Sequence, residues 1–134
     1  MSLSMPLIVT PYAAVLGLLG AALTVNVIVN RVKGKVVAGD GGVAALTQAI
    51  RAHCNFTEQA PIGLILIFVA EAAGASAMAV NILGALLVIS RLAAAYTLSK
   101  TLENTRLRVL GGGLGIVTLA AASIVALLAL VGVG

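Results

Sequence analysis

Four stretches of this sequence are apolar for the length of a membrane crossing: Leu7 to Val29, Val43 to Ala70, Ala75 to Leu98 and Val109 to Val133. A helix needs about 20 such residues to span a hydrocarbon core of about 30 Å. Inside lipid every backbone N–H and C=O must find its partner within the protein, so only helices or a closed barrel can span it. Runs of this length exclude the short alternating strands of a barrel and predict helices. Short connections between successive helices make neighbours antiparallel, which predicts an up-down four-helix transmembrane bundle, all-α, forming a single domain over residues 1–134. The composition agrees. Hydrophobic residues make up 61% of the chain and charged residues 9%, with a mean hydropathy of +1.19, whereas soluble domains carry about 25% charged residues. The chain therefore reads as an integral membrane protein.

The few charges are placed unevenly. Eight Lys or Arg stand against four acids, giving a net charge of +4. In a membrane protein that excess speaks first to orientation and to contact with anionic membrane lipids. Arg31, Lys33 and Lys35 fall in the first connection, and Lys100, Glu103, Arg106 and Arg108 fall in or beside the third. The positive-inside rule then places both basic loops in the cytoplasm and both termini on the other side. A nucleic-acid partner is not expected, because aromatic residues are 3% of the chain and the cations are divided between separate segments. Met1 to Pro6 carries no basic residue and the first apolar run is long enough to span, so no cleaved signal peptide is expected. His53 is the only histidine and its neighbour Cys54 the only cysteine, a pairing that cannot build a tetrahedral metal site. Cys54 reads as a small packing residue.

One block interrupts the apolar pattern: Arg51-Ala52-His53-Cys54-Asn55-Phe56-Thr57-Glu58-Gln59-Ala60-Pro61, at the head of the run from Ile62 to Ala70. On a helix, Arg51, Asn55 and Glu58 stand at i, i+4 and i+7 and share one stripe, which Thr47 and Gln48 extend by a turn. A charged residue at mid-membrane costs roughly 2.5 to 3.5 kcal/mol on insertion scales, so this stripe must face protein or water. The second run would make a helix of about 42 Å, long enough for its N-terminal part to emerge towards the interface. Pro61 cannot donate to the carbonyl of Thr57, which predicts a local bend beside the stripe. Asn26 and Asn30, one turn apart, read as helix-to-helix hydrogen-bonding groups, and the run Gly111-Gly112-Gly113-Leu114-Gly115 as a close packing surface for another helix. Arg91 and Tyr96 on the third helix and Arg106 and Arg108 at the start of the fourth lie towards the same end as the stripe.

A guanidinium and an amide one turn apart can hold a carboxylate, and Glu58 on the same stripe can accept from an ammonium. A ligand bearing carboxylates and an amine fits that set. An ion pair between Arg51 and Glu58 that merely neutralises two charges fits the spacing as well. At this point the residues resemble the second-helix signature of the MAPEG family, the membrane-associated proteins in eicosanoid and glutathione metabolism. The pattern there is Arg, Asn four residues later, Glu three after that and Pro three further on, and Arg51, Asn55, Glu58 and Pro61 match it. Chain length, four spans and a basic first loop extend the resemblance over the whole chain, with the bacterial branch closest.

The resemblance implies a homotrimer in the bacterial inner membrane, with glutathione as co-substrate bound between neighbouring subunits. Arg51 and Asn55 would hold a glutathione carboxylate and Glu58 its amino group. Arg31, and His53 about 200° around the helix from Arg51, would come from the adjacent subunit. Arg91 would belong to the same glutathione-binding set. An arginine opening the fourth helix activates the thiol in active members; the candidates are Arg108, which directly precedes the apolar run, and Arg106. In the eukaryotic enzymes the arginine matching Arg91 is followed by His or Tyr three residues on and Tyr seven on, where this chain has Ala94 and Leu98. Tyr96 is the one nearby tyrosine and a candidate donor to the thiolate. The implied activity is that of a glutathione transferase or peroxidase acting on a lipophilic small molecule or lipid. A non-catalytic lipid- or glutathione-binding scaffold is the alternative, and a small four-helix exporter fits less well, since the one deep acid, Glu58, shares its stripe with a cation.

Overall fold

In the computed structural model, which describes residues 8–103 and 105–132, the chain folds into four helices: α1 (Thr10–Gly34), α2 (Ala44–Ala72), α3 (Ala77–Lys100) and α4 (Arg106–Leu130). Leu7 and Val133, the outer limits of the first and last expected spans, lie outside the described residues. α1, α3 and α4 are each long and apolar enough to cross a membrane by length and composition. α2 is not among them, because the block from Arg51 to Glu58 dilutes its hydropathy, although it is the longest helix at 29 residues. It touches all three others. α1 packs on α2 and α3, α4 packs on the opposite side of the same pair, and α1 and α4 do not meet.

Two helix ends differ from the expected ones. α1 runs on past Val29 to Gly34 and stops where Lys35 turns left-handed (φ 52°), its N–H closing on the carbonyls of Arg31 and Val32. Arg31 and Lys33, expected in the loop, therefore sit in the last turn of α1, where cations offset the partial negative charge of the helix end. α4 begins at Arg106 rather than Val109, since the Thr105 hydroxyl accepts from the N–H of Arg108 and caps it. Both candidate arginines thus stand in the first turn. The α1–α2 connection is a tight turn in which Gly39, Gly41 and Gly42 all have positive φ. Asp40 holds it by accepting from Gly42 N–H (3.1 Å) and the Thr47 hydroxyl (2.9 Å). Those two bonds keep the exposed Asp40 carboxyl below its ordinary value.

The core is layered. Leu16, Ile67, Val80, Leu83, Leu87 and Ala122 form an apolar layer towards the α1 N-terminal end, and Leu23, Ala52, Ala95 and Leu98 form a second towards the other end. Small residues line the inner face of α2 (Ala49, Ala52, Ala60, Gly63, Ala70) and let its neighbours approach closely. Gly84 leaves room for the ring of Tyr12, whose hydroxyl donates to Asn81 Oδ1 at 2.7 Å. Hydroxyls buried within the helices satisfy themselves locally: Ser90 donates to the Leu87 carbonyl, Thr97 to Ala93 and Thr118 to Leu114. Asn26 and Asn30, expected to bond between helices, bond to each other along α1 instead.

At the far end Glu71, near the C-terminus of α2, accepts from the backbone N–H groups of Ile8 and Val9 at 3.0 Å each. Val9, the N-cap residue of α1, makes no side-chain cap; Glu71 instead ties the N–H groups at the helix entry to the end of α2. Glu71→Ala leaves those donors without their partner and should lower stability by about 1 to 3 kcal/mol in a detergent unfolding titration. Asp40 contributes to folding where its carboxylate is charged; because its folded value is depressed, that contribution is present above the unfolded value and is lost as pH falls through the folded one. Asp40→Asn should therefore flatten the acid side of a melting-temperature profile measured below about pH 4.

Candidate functional site

The stripe predicted on α2 forms, and its members have different surroundings. Arg51 and Glu58 are exposed on the outside of the bundle, while Asn55 is half-buried. Neither Arg51 nor Glu58 makes a hydrogen bond or ion pair with any described residue. The neutralising Arg51–Glu58 pair is thus not formed, and the two charges, about 10 Å apart along the helix axis, remain available. The helix runs without interruption through Pro61.

Asn55 turns inward to meet Arg91. That arginine is 1% exposed and is the largest fully buried side chain among the described residues. Its Nη1 donates to Asn55 Oδ1 at 3.0 Å and lies 3.5 Å from the Asn55 carbonyl oxygen; its Nε donates to Ser90 Oγ at 3.3 Å. Nη2 and the nearby Oε1 of Gln59, one turn beyond Asn55, are both buried and have no hydrogen-bond partner. Both crowd the same point on α4. A Cβ at Gly115 would lie 2.6 Å from Gln59 Oε1 and would overlap the Arg91 guanidinium. The polar layer therefore consists of Asn55 and Gln59 from α2, Ser90 and Arg91 from α3, and a bare stretch of backbone from α4, set between the two apolar layers.

The other sequence candidates stand nearer the basic end. Arg31, half-buried, donates to the Gly39 carbonyl at 2.8 Å. His53 is half-buried, Tyr96 is 61% exposed and Arg106 is exposed. Arg108 is half-buried and bends back onto the carbonyls of Leu102 and Glu103. Arg51 with Glu58, and Asn55 with Arg91, are the groupings the structure shows; Arg31, His53, Tyr96, Arg106 and Arg108 make no contact with them through a hydrogen bond. Gln59 and Gly115 were not legible as parts of a site. The one signal for Gln59 was its place four residues after Asn55, and Gly115 was expected only to pack. No group of three or more His, Cys, Asp or Glu able to hold a metal occurs among the described residues. Largely on the opposite side of α2 from the stripe, a cleft of about 320 Å³ runs between α1 and α2, lined by Ala13, Leu16, Gly17, Phe56, Pro61 and Leu64 among others.

A protein-family profile, that of the MAPEG family, matches residues 9–128 of the chain. The chain belongs to the MAPEG family. It is 37% identical over 81 residues to the inner membrane protein YecN of Escherichia coli K12, and equally to the YecN of Escherichia coli O6:H1. Those matches cover 60% of this chain and 62% of the relatives, so the chain spans less than two thirds of the length of the curated relatives it matches. No solved structure matches it at a significant level. Family, apolar helices and an inner-membrane relative together make this MAPEG chain a membrane protein.

The glycine at 115 offers a direct check on the polar layer. Ala gains about 1 kcal/mol over Gly in helix propensity, but a methyl group forced against Arg91 and Gln59 costs about 1 to 3 kcal/mol. Gly115→Ala should therefore lower thermal stability in detergent, whereas Gly113→Ala, with nothing within 4 Å of the added atom, should hold or raise it.

Proposed function

We propose that this MAPEG protein is a membrane-bound glutathione-dependent transferase or peroxidase acting on lipophilic electrophiles. The observation that carries this reading is the unpaired Arg51 and Glu58 on one outer face of α2, with an ordered amide between them. Two opposite charges left exposed on a membrane helix need an outside partner, and a zwitterionic peptide supplies both complements. Three extended residues span about 10 Å, close to the rise from Arg51 to Glu58. Arg51 and Asn55 then bind a carboxylate of glutathione and Glu58 its ammonium. A face of this kind is shielded when chains associate around it, so the functional unit is a homotrimer in which the neighbouring subunit brings Arg31 and His53 towards the peptide. All of these groups except Glu58 lie on or near the end of the bundle rich in Lys and Arg, which is assigned to the cytoplasm, with the termini on the other side.

The chemistry requires a thiolate. Arg108 is the preferred activating cation, with Arg106 next to it in the same turn and Tyr96 a further donor. A guanidinium beside the sulfur favours the charged form, so the thiol proton is released to water. The sulfur then forms a bond to an electrophilic carbon while the leaving group departs with its electron pair. Alternatively, two glutathione molecules reduce a hydroperoxide to an alcohol and water and leave as the disulfide. The engagement of Arg108 with the Leu102 and Glu103 carbonyls favours a second reading, in which the cradle binds glutathione or lipid without turnover.

The test is glutathione titration of the detergent-solubilised protein together with its mass. Arg51→Ala and Glu58→Gln should each weaken glutathione about tenfold or more, as loss of a charge-assisted bond of about 1.5 to 3 kcal/mol requires, while the trimer persists. Absence of glutathione binding, or a monomer only, would sink the reading. Arg108→Ala should leave affinity nearly unchanged and lower turnover of a generic electrophile by about 10² or more. Full turnover in that variant with loss in Arg106→Ala would transfer the role to Arg106, and binding without turnover in the wild type would favour the scaffold.

A further inference from the structure

We propose that Arg91 is a positioning residue that acts on a bound ligand through Asn55, fixing the amide so that its two N–H donors face the Arg51–Glu58 surface. This rests on the glutathione reading above for the identity of the ligand, but its structural core does not. A guanidinium has donors only, so the Asn55 atom that faces Arg91 Nη1 at 3.0 Å must be the carbonyl oxygen. That removes the ambiguity in which way an asparagine amide points. With Oδ1 turned in, Nδ2 is turned out. Nδ2 makes no hydrogen bond to a described residue and is not among the enclosed unpaired atoms, so it opens onto the surface that carries Arg51 one turn earlier and Glu58 three residues later.

The guanidinium is itself held. Nε is tied to Ser90, Nη1 also approaches the Asn55 carbonyl, and α4 passes close enough at Gly115 to block movement away from α2. Packing alone gives no reason for this arrangement. A buried cation with no carboxylate partner and one donor unmet costs stability, and apolar residues of similar size are often better tolerated there. The arrangement does give Asn55 a single orientation. A freely turning amide would present its oxygen to an incoming carboxylate half of the time, and that contact is repulsive. Arg91 is 1% exposed, so it serves the ligand without touching it.

The experiment compares glutathione with glutathione diethyl ester, which keeps the ammonium and thiol but has no carboxylate. Both are titrated into the detergent-solubilised wild type, Arg91→Gln and Arg91→Lys. Arg91→Gln should bind glutathione about tenfold more weakly while its affinity for the diester stays within about twofold, and Arg91→Lys, which keeps one donor towards Asn55, should recover part of the loss. Equal fractional loss for both ligands would mean that Arg91 only supports the fold, and undiminished glutathione affinity in Arg91→Gln would also overturn the proposal. If Arg91→Gln does not fold, the same comparison on Arg91→Lys decides it. A wild type that binds neither ligand defeats the glutathione reading, and Arg91 is then judged on the Asn55 side-chain amide resonances, assigned by their loss in Asn55→Ala. Two sharp resonances that shift or broaden in Arg91→Lys uphold the positioning role, and resonances that do not change overturn it.

Discussion

A guanidinium enclosed in an apolar bundle must be offered acceptors by the helices around it, and much of this fold follows from how Arg91 is accommodated. α2 supplies Asn55 and brings Gln59 alongside, α3 supplies Ser90, and α4 supplies the absence of a side chain at Gly115. Three helices thereby share one register. The apolar layers on either side, around Leu87 and around Leu98, fix the helices by shape. The polar layer adds a directional constraint, because hydrogen bonds weaken steeply with distance and angle. In a bundle so largely apolar, this layer adds a directional lock to the packing of α2, α3 and α4.

The same helix carries charges that are treated in the opposite way. Arg51 and Glu58 stay on the outer face, unpaired, where Arg91 is buried and bonded. Placement on α2 decides this. Ala52, Ala60, Gly63 and Ile67 take the inward positions, so the stripe of Arg51 and Glu58 is directed outwards and Asn55, at its margin, touches both environments. An amide is suited to that margin because it has an acceptor at one corner and donors at the other. The outer stripe and the buried layer are thus two sides of one polar system joined at a single residue.

Much of this could be read in advance. Spans of about 20 apolar residues allow few structures in lipid, so four helices and their order followed from length alone, and the spacing of Arg51, Asn55 and Glu58 followed from helical periodicity. Helix ends were less legible. Arg31 and Lys33 look like loop residues because charge marks the membrane boundary, yet α1 runs on past that boundary until Lys35 turns left-handed. Arg106 joined α4 for the complementary reason, a Thr105 cap lying outside the apolar run. The partners of Arg91 were not legible because they come from residues 36 positions away and from a glycine that contributes only space. Asn26 and Asn30 show the limit of face arguments, since two amides one turn apart can satisfy each other without any second helix.

The carboxylate of Glu71 bears on how the chain is made. It binds the backbone N–H groups at the entry to α1 from 63 and 62 residues further along the sequence. During synthesis α1 emerges long before Glu71 exists, and through that interval the N–H groups of Ile8 and Val9 lack the carboxylate that receives them in the finished fold. Glu71 reaches them once α2 has been completed and has returned to the same side. The hairpin of α1 and α2 is therefore the smallest piece of this protein that contains this contact, and the entry to the first helix is fixed only together with the last turn of the second.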